Sequence, residues 1–167
     1  MATIVRDLFP GPYALPTTAF AAPDVIQGTN FSFPVLRFDA ATDENAYFPF
    51  RLHNYGSGNI TIDLDWYADT ASSGDCKWAG RIAAITPNSD ADDIEGKAFA
   101  TFADVTTTHL GTTGQRLHRS TVTLTATDAA VAGDMCWIRI QRDADAAGDT
   151  MAGDALLVGA TISYSDT

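Results

Sequence analysis

The chain has 167 residues, 46% hydrophobic and 10% aromatic, and its 21 Asp and Glu against 10 Lys and Arg give a formal charge of −11. That length supports one domain with a real core. Basic residues scattered through a net negative field repel phosphate backbones and anionic lipid, which excludes nucleic-acid and membrane-surface roles.

The first residues lack the apolar core and small-residue cleavage site of a secretory leader, and no stretch approaches the ~20 apolar residues of a membrane span. The expectation is a product made in a cytoplasm. Cys76 and Cys136 each stand shortly before a tryptophan in strand-like runs. In a reducing compartment they read as core thiols rather than a disulfide. Neither has cysteine or histidine company at zinc-binding spacing.

Residues 1–30 carry Pro10, Pro12, Pro16 and Pro23 with Gly11 and Gly28, and show no clear period. Proline lacks the amide donor and fixes φ, so this segment reads as an extended N-terminal arm and residues 31–167 as the folded domain. The arm's anchors Ile4, Val5, Leu8, Phe9, Tyr13 and Phe20 are costly to leave in water. They lie along a surface, that of their own domain or a partner's.

Strand-like runs then follow at short spacing. Residues 31–38 are broken by Pro34 and so belong at an edge. Residues 46–53 alternate Ala46, Phe48, Phe50 and Leu52 against Tyr47, Pro49, Arg51 and His53. Residues 60–68 are the cleanest strand, with Ile60, Ile62, Leu64 and Trp66 inward and Thr61, Asp63, Asp65 and Tyr67 outward. Residues 76–85, 97–105 and 117–127 are further candidates. Residues 135–142 place Cys136, Ile138 and Ile140 opposite Trp137, Arg139 and Gln141. Residues 155–164 place Leu156, Val158, Ala160, Ile162 and Tyr164 on one face. These last two runs read as a closing β-hairpin with a long polar loop. About eight strands without a helical period predict an all-β, antiparallel two-sheet β-sandwich, with jelly roll the leading topology.

Catalytic constellations are missing. His53, His109 and His118 have no partners at metal-pair spacing, and there is no nucleophile elbow or phosphate-binding glycine loop. The reading is a non-enzyme without cofactor or metal. The loop Asp143, Asp145, Gly148, Asp149 with Asp154 resembles a truncated calcium loop, but it lacks the distal bidentate Glu. Turn-capping aspartates are the simpler account. Asp63 with Asp65, and Asp90, Asp92, Asp93 with Glu95, read as solvated faces, and Arg139 and Arg142 as salt-bridge partners of the neighbouring aspartates.

The stretch Trp137 to Asp143, then Asp149 to Ala155, then Ile162 to Tyr164, resembles the closing pattern of small jelly-roll virion proteins of tailed bacteriophages. Trp66-Tyr67-Ala68, Gly74, Trp78 and Leu117-His118 are similar to the same family. The resemblance covers residues 45–164 and implies a trimer, with outward Trp137 and Tyr67 at an interface. It implies a capsid cement, or decoration, protein on the capsid surface that binds the major capsid protein lattice and stabilises the expanded head. In that reading Ile4, Leu8, Phe9, Tyr13 and Phe20 make the lattice contact. Trp137, Arg139, Arg142, Asp143, Asp149 and Asp154 hold the hairpin and the trimer seam. The rival expectation is a receptor- or glycan-binding tip module of a phage head or tail fibre, with loops 69–75 and 86–96 turned outward.

Overall fold

The computed structural model describes residues 1–71, 73–88, 92–111 and 114–167; Asp90 of the acidic cluster lies outside the described residues. Ten strands form two antiparallel sheets: β1 (Thr3–Phe9), β2 (Ala22–Gln27), β3 (Ser32–Phe38), β4 (Glu44–Arg51), β5 (Ile60–Ala68), β6 (Asp75–Ile85), β7 (Ala103–Thr108), β8 (His118–Leu124), β9 (Met135–Arg142) and β10 (Ala155–Ser165). The first sheet runs β2-β3-β10-β5-β8, with β1 beside β10. The second runs β4-β9-β6-β7. The expected all-β sandwich is present.

The strands at residues 60–68 and 135–142 keep their predicted faces. Ile60, Ile62, Leu64 and Trp66 meet Trp78, Ile82, Ile138 and Ile140 between the sheets, all fully buried. Phe38 and Trp66 approach Trp78 at ring centroids of 4.9 and 6.0 Å. The Trp66 indole donates to Ser120 Oγ at 2.8 Å, which satisfies its N–H inside the core.

Three expectations need correction. The closing hairpin is a crossover: β9 pairs with β4 and β6 in the second sheet, while β10 pairs with β1, β3 and β5 in the first. Both strands are central, and their buried faces are used against each other across the core rather than side by side. The face of β10 also switches midway, because the register with β5 shifts between Leu157 and Gly159. This bulge flips the alternation. Ala160, Ile162 and Tyr164 point into the core, as does Leu157, whereas Leu156 and Val158 pack outside with Val35 and Tyr67.

The third concerns the arm, which supplies β1 and β2 to the first sheet. β1 pairs with the second half of β10 and β3 with its first half, so the two lie end to end along one edge of that strand. β2 is the outer strand, where Pro23 costs the fewest ladder bonds. The arm is therefore a strap on its own domain.

At one end of the first sheet, buried His118 stacks on Trp66 at 4.5 Å and lies 4.6 Å from buried His109. His118 Nε2 accepts from the Leu110 amide and His109 Nδ1 from the Gly111 amide, both at 3.0 Å, so each ring nitrogen acts as an unprotonated acceptor. Burial first, and His109 second, hold the His118 pKa below its ordinary 6.5. The unfolded chain then binds a proton that the folded chain refuses. Stability from the neutral ring is full above the unfolded pKa and drains as pH falls through the folded one. A thermal melt series from about pH 7 to about pH 5 is expected to show a falling midpoint. His118→Gln, which retains an acceptor for Leu110, is expected to flatten that fall; an unchanged slope in the variant would remove His118 as the cause.

Candidate functional site

The outward face of the second sheet collects most of the unusual chemistry. Strand alternation sends Tyr47 of β4, Arg139 of β9 and Arg81 of β6 to the same side, and the register puts them in one row: Tyr47 opposite Arg139, Arg139 opposite Arg81. The adjacent rows are Asn45, Gln141 and Ala79 on one side and Pro49, Trp137 and Ala83 on the other. Between β6 and β7 the chain runs across this face and lays two rings on it. Phe99 stacks on Tyr47 at 5.9 Å and 20°, and Phe102 lies under the Arg81 guanidinium at 3.9 Å. A depression of about 250 Å³ beside Phe99 is lined by Tyr47, Trp137, Ile94, Lys97 and Ala83.

The polar groups of this face form a chain. Arg139 donates from Nε to Asn45 Oδ1 at 2.6 Å and from Nη2 to Gln141 Oε1 at 3.0 Å, and Gln141 Nε2 donates to Asp43 at 2.9 Å. Neutral amides thus orient a cationic group next to three aromatic rings. Such a surface stacks on apolar ring faces and hydrogen-bonds the hydroxyls at their rims.

A second aromatic depression, about 600 Å³ on the outer face of the first sheet, is lined by Phe31, Phe33, Tyr67, Leu117 and Val158. Among the described residues its polar lining is Gln27, Thr29, Gln115 and Tyr67, with no charged side chain. It suits an apolar partner better than a polar one.

The residues expected to contact a lattice are dispersed. Leu8 and Phe9 are buried in the core, Ile4 packs against it, and Tyr13 and Phe20 are half exposed. Phe9 and Phe48 flank Tyr13 at 6.0 and 6.4 Å. The residues expected at a hairpin and trimer seam divide in two. Trp137 and Arg139 belong to the outer face just described. Arg142, Asp143, Asp149 and Asp154 tie down the crossover loop: Arg142 with Asp149 inside, Asp143 with Lys77 at 2.8 Å, Asp154 with Arg37 at 3.5 Å.

Asp149 and Asp154 are engaged by arginines, and Asp43, Asp143 and Asp145 bring carboxylate oxygens within 4.8 Å of one another, with Asp43 accepting from Gln141 and the Asp145 amide and Asp143 paired with Lys77. Asp65 is held bidentately by Arg119, with both bonds at 2.7 Å. Cys76 and Cys136 are free and buried, and burial pushes the Cys136 thiol up to about 12 and Cys76 further, so neither is a nucleophile near neutrality.

Sequence reasoning missed Arg81, Phe99 and Phe102. Arg81 carries a weak signal, the outward alternation Lys77, Ala79, Arg81, Ala83 in β6. The two rings stand in an aperiodic segment whose course over the sheet nothing local encodes.

No protein-family model matches this chain. No curated protein matches it in sequence. Solved structures do share its architecture. One is a family 11 carbohydrate-binding module from Clostridium thermocellum in complex with a β-1,3-1,4-mixed-linked tetrasaccharide, at TM-score 0.50 and 10% identity over 96% of this chain and 94% of that one. Another is CBM28, a carbohydrate-binding module specific for non-crystalline cellulose, at TM-score 0.51 and 11% identity over 87% and 84%. At such identity the likeness is one of fold, the jelly-roll β-sandwich. It nonetheless corrects the capsid-cement expectation: both of these structures are carbohydrate-binding modules, which favours the glycan binding of the rival expectation.

Proposed function

We propose that this protein is a glycan-binding module, acting without turnover, and that the outer face of the second sheet receives the saccharide. The observation that carries this reading is the row Tyr47, Arg139, Arg81 with Phe99 and Trp137 beside it, partly exposed rings and hydrogen-bonding groups on one sheet face. The fold likeness supports the class of ligand and leaves the particular sugar open. Apolar sugar faces stack on the rings, and hydroxyls meet the guanidiniums, which buried Asn45 and Gln141 hold in place.

Affinity electrophoresis through gels containing mixed-linkage β-glucan, xylan, galactan or pectin tests this. Retardation by at least one polysaccharide is expected. An aromatic contact of about 1.5 kcal/mol predicts that Tyr47→Ala weakens that interaction about tenfold. Free migration through every gel would defeat the reading, and unchanged retardation of Tyr47→Ala would move the site elsewhere.

A further inference from the structure

The protein carries ten basic side chains against 21 acidic ones, yet the described residues give Arg81 and Arg139 no carboxylate partner. Five of the ten basic residues do have one: Arg37, Lys77, Lys97, Arg119 and Arg142 all form ion pairs. Among those without one, Arg81 and Arg139 are direct cross-strand neighbours on the outer face of the second sheet. Like charges in that position destabilise a sheet. Acidic side chains are abundant, and even nearby Lys77 draws Asp104 and Asp143 to itself.

What stands around the pair is aromatic and amide chemistry. Phe102 presents its ring to both guanidiniums, at 3.9 Å from Arg81 and 5.5 Å from Arg139, and Phe99 lies 5.4 Å from Arg81. A ring face partly offsets the repulsion but accepts no strong hydrogen bond. Arg139 spends two donors on Asn45 and Gln141. Arg81 has no hydrogen-bond acceptor among the described residues, and its Nε is buried without a partner. A guanidinium has five N–H donors in a planar fork suited to a two-oxygen anion.

We infer that Arg81 and Arg139 together bind an anionic substituent of a saccharide, a uronate carboxylate or a sulfate ester, so that the module prefers an acidic glycan over a neutral one. This rests on the glycan-binding reading and narrows it. The net negative charge opposes approach of a polyanion at low salt. At physiological ionic strength that field is screened beyond about 8 Å, whereas a contact pair is not. The preference therefore belongs to the site and survives in 0.15 M salt, roughly the ionic strength of that screening length.

The test is calorimetric titration of the intact protein at that ionic strength with four probes: a galacturonate hexamer, its methyl ester, a sulfated dextran fragment, and a neutral β-1,4-glucan hexamer. Tighter binding of the galacturonate than of its methyl ester, by about tenfold, is expected and identifies the carboxylate. A like preference for sulfated dextran over the neutral glucan identifies the sulfate. Arg81→Gln and Arg139→Gln, with melting curves checked against wild type, are expected to abolish the preference, so that each variant binds the galacturonate and its methyl ester equally; a preference that persists in both variants overturns the inference. Equal affinity for charged and neutral probes overturns the inference and leaves the glycan-binding reading intact. If none of the four probes binds, the inference is overturned, and the polysaccharide gels decide the broader reading separately.

Discussion

Replacing Arg142 with alanine is expected to cost about 3–5 kcal/mol, the usual loss when one partner of a buried ion pair is removed. That is a large share of the roughly 5–15 kcal/mol that holds a domain of this kind together. The Arg142 side chain is 0% exposed and that of Asp149 1%. Arg142 Nε and Nη2 donate to the two oxygens of Asp149 at 3.0 and 2.8 Å. Its remaining donors reach the carbonyls of Met151 at 2.7 Å and Gly153 at 2.8 Å. Burial alone works against the charge, but the Asp149 hydrogen bonds and carboxylate hold the guanidinium pKa above its ordinary value. Alanine would strand a buried carboxylate and two loop carbonyls at once.

Urea denaturation checks this, and Arg142→Lys sharpens it. Lysine keeps the charge but cannot fork across Asp149 while also reaching the loop carbonyls, so it is expected to fall between wild type and alanine. A loss under about 1 kcal/mol for alanine, the range of an exposed pair, would show that the guanidinium is not the clamp. The same residue fixes the crossover between the sheets, because Asp149 also accepts from the Lys77 amide of β6 at 2.9 Å.

Phe9→Ala is expected to destabilise by about 3–5 kcal/mol, the range for a buried phenylalanine. Phe9 is 4% exposed and closes β1 against β10 after an irregularity at Asp7. An arm reserved for an external partner predicts the opposite, a change within about 0.5 kcal/mol, as for ordinary surface positions. Thermal melts of Phe9→Ala beside Val5→Ala, whose side chain is 63% exposed, distinguish the two. A strap packed on its own sheet loses much from the first and little from the second.

The contrast between β5 and β10 explains how much of the fold could be read from the chain. In β5 nothing interrupts the pleat, so the period of two in Ile60, Ile62, Leu64 and Trp66 is also the pattern of burial. In β10 one extra residue breaks the pleat, and no local property of Leu157, Val158 or Gly159 announces it. Pairing is harder still to read. β9 and β10 are adjacent strands joined by a polar loop, which locally looks like a hairpin, and only their partners elsewhere in the chain place them in different sheets. The arm is a related case: its prolines exclude a central strand but not an edge strand, and nothing local to Thr3–Phe9 marks it as the partner of β10.

The facing of residues was legible on regular strands, though not the proposed site they form. The outward direction of Tyr47, Trp137 and Arg139 followed from alternation. Phe99, Phe102 and the isolation of Arg81 did not, because they depend on where an irregular segment crosses the sheet. Gly74 shows a similar dependence at φ +99°, where an added Cβ would come within 2.8 Å of the Met151 backbone. The glycine was visible in the sequence; its role in seating the crossover loop was not.

Intrinsic fluorescence tests the central claim most directly, because Trp66 and Trp78 are fully buried and only Trp137 reaches the proposed binding face. Titration with the acidic and neutral oligosaccharides is expected to produce a saturable change in emission for at least one of them, and Trp137→Phe is expected to remove it. A change that persists in Trp137→Phe, or no change with any saccharide that retards the protein in gels, would contradict the assignment of glycan binding to the outer face of the second sheet.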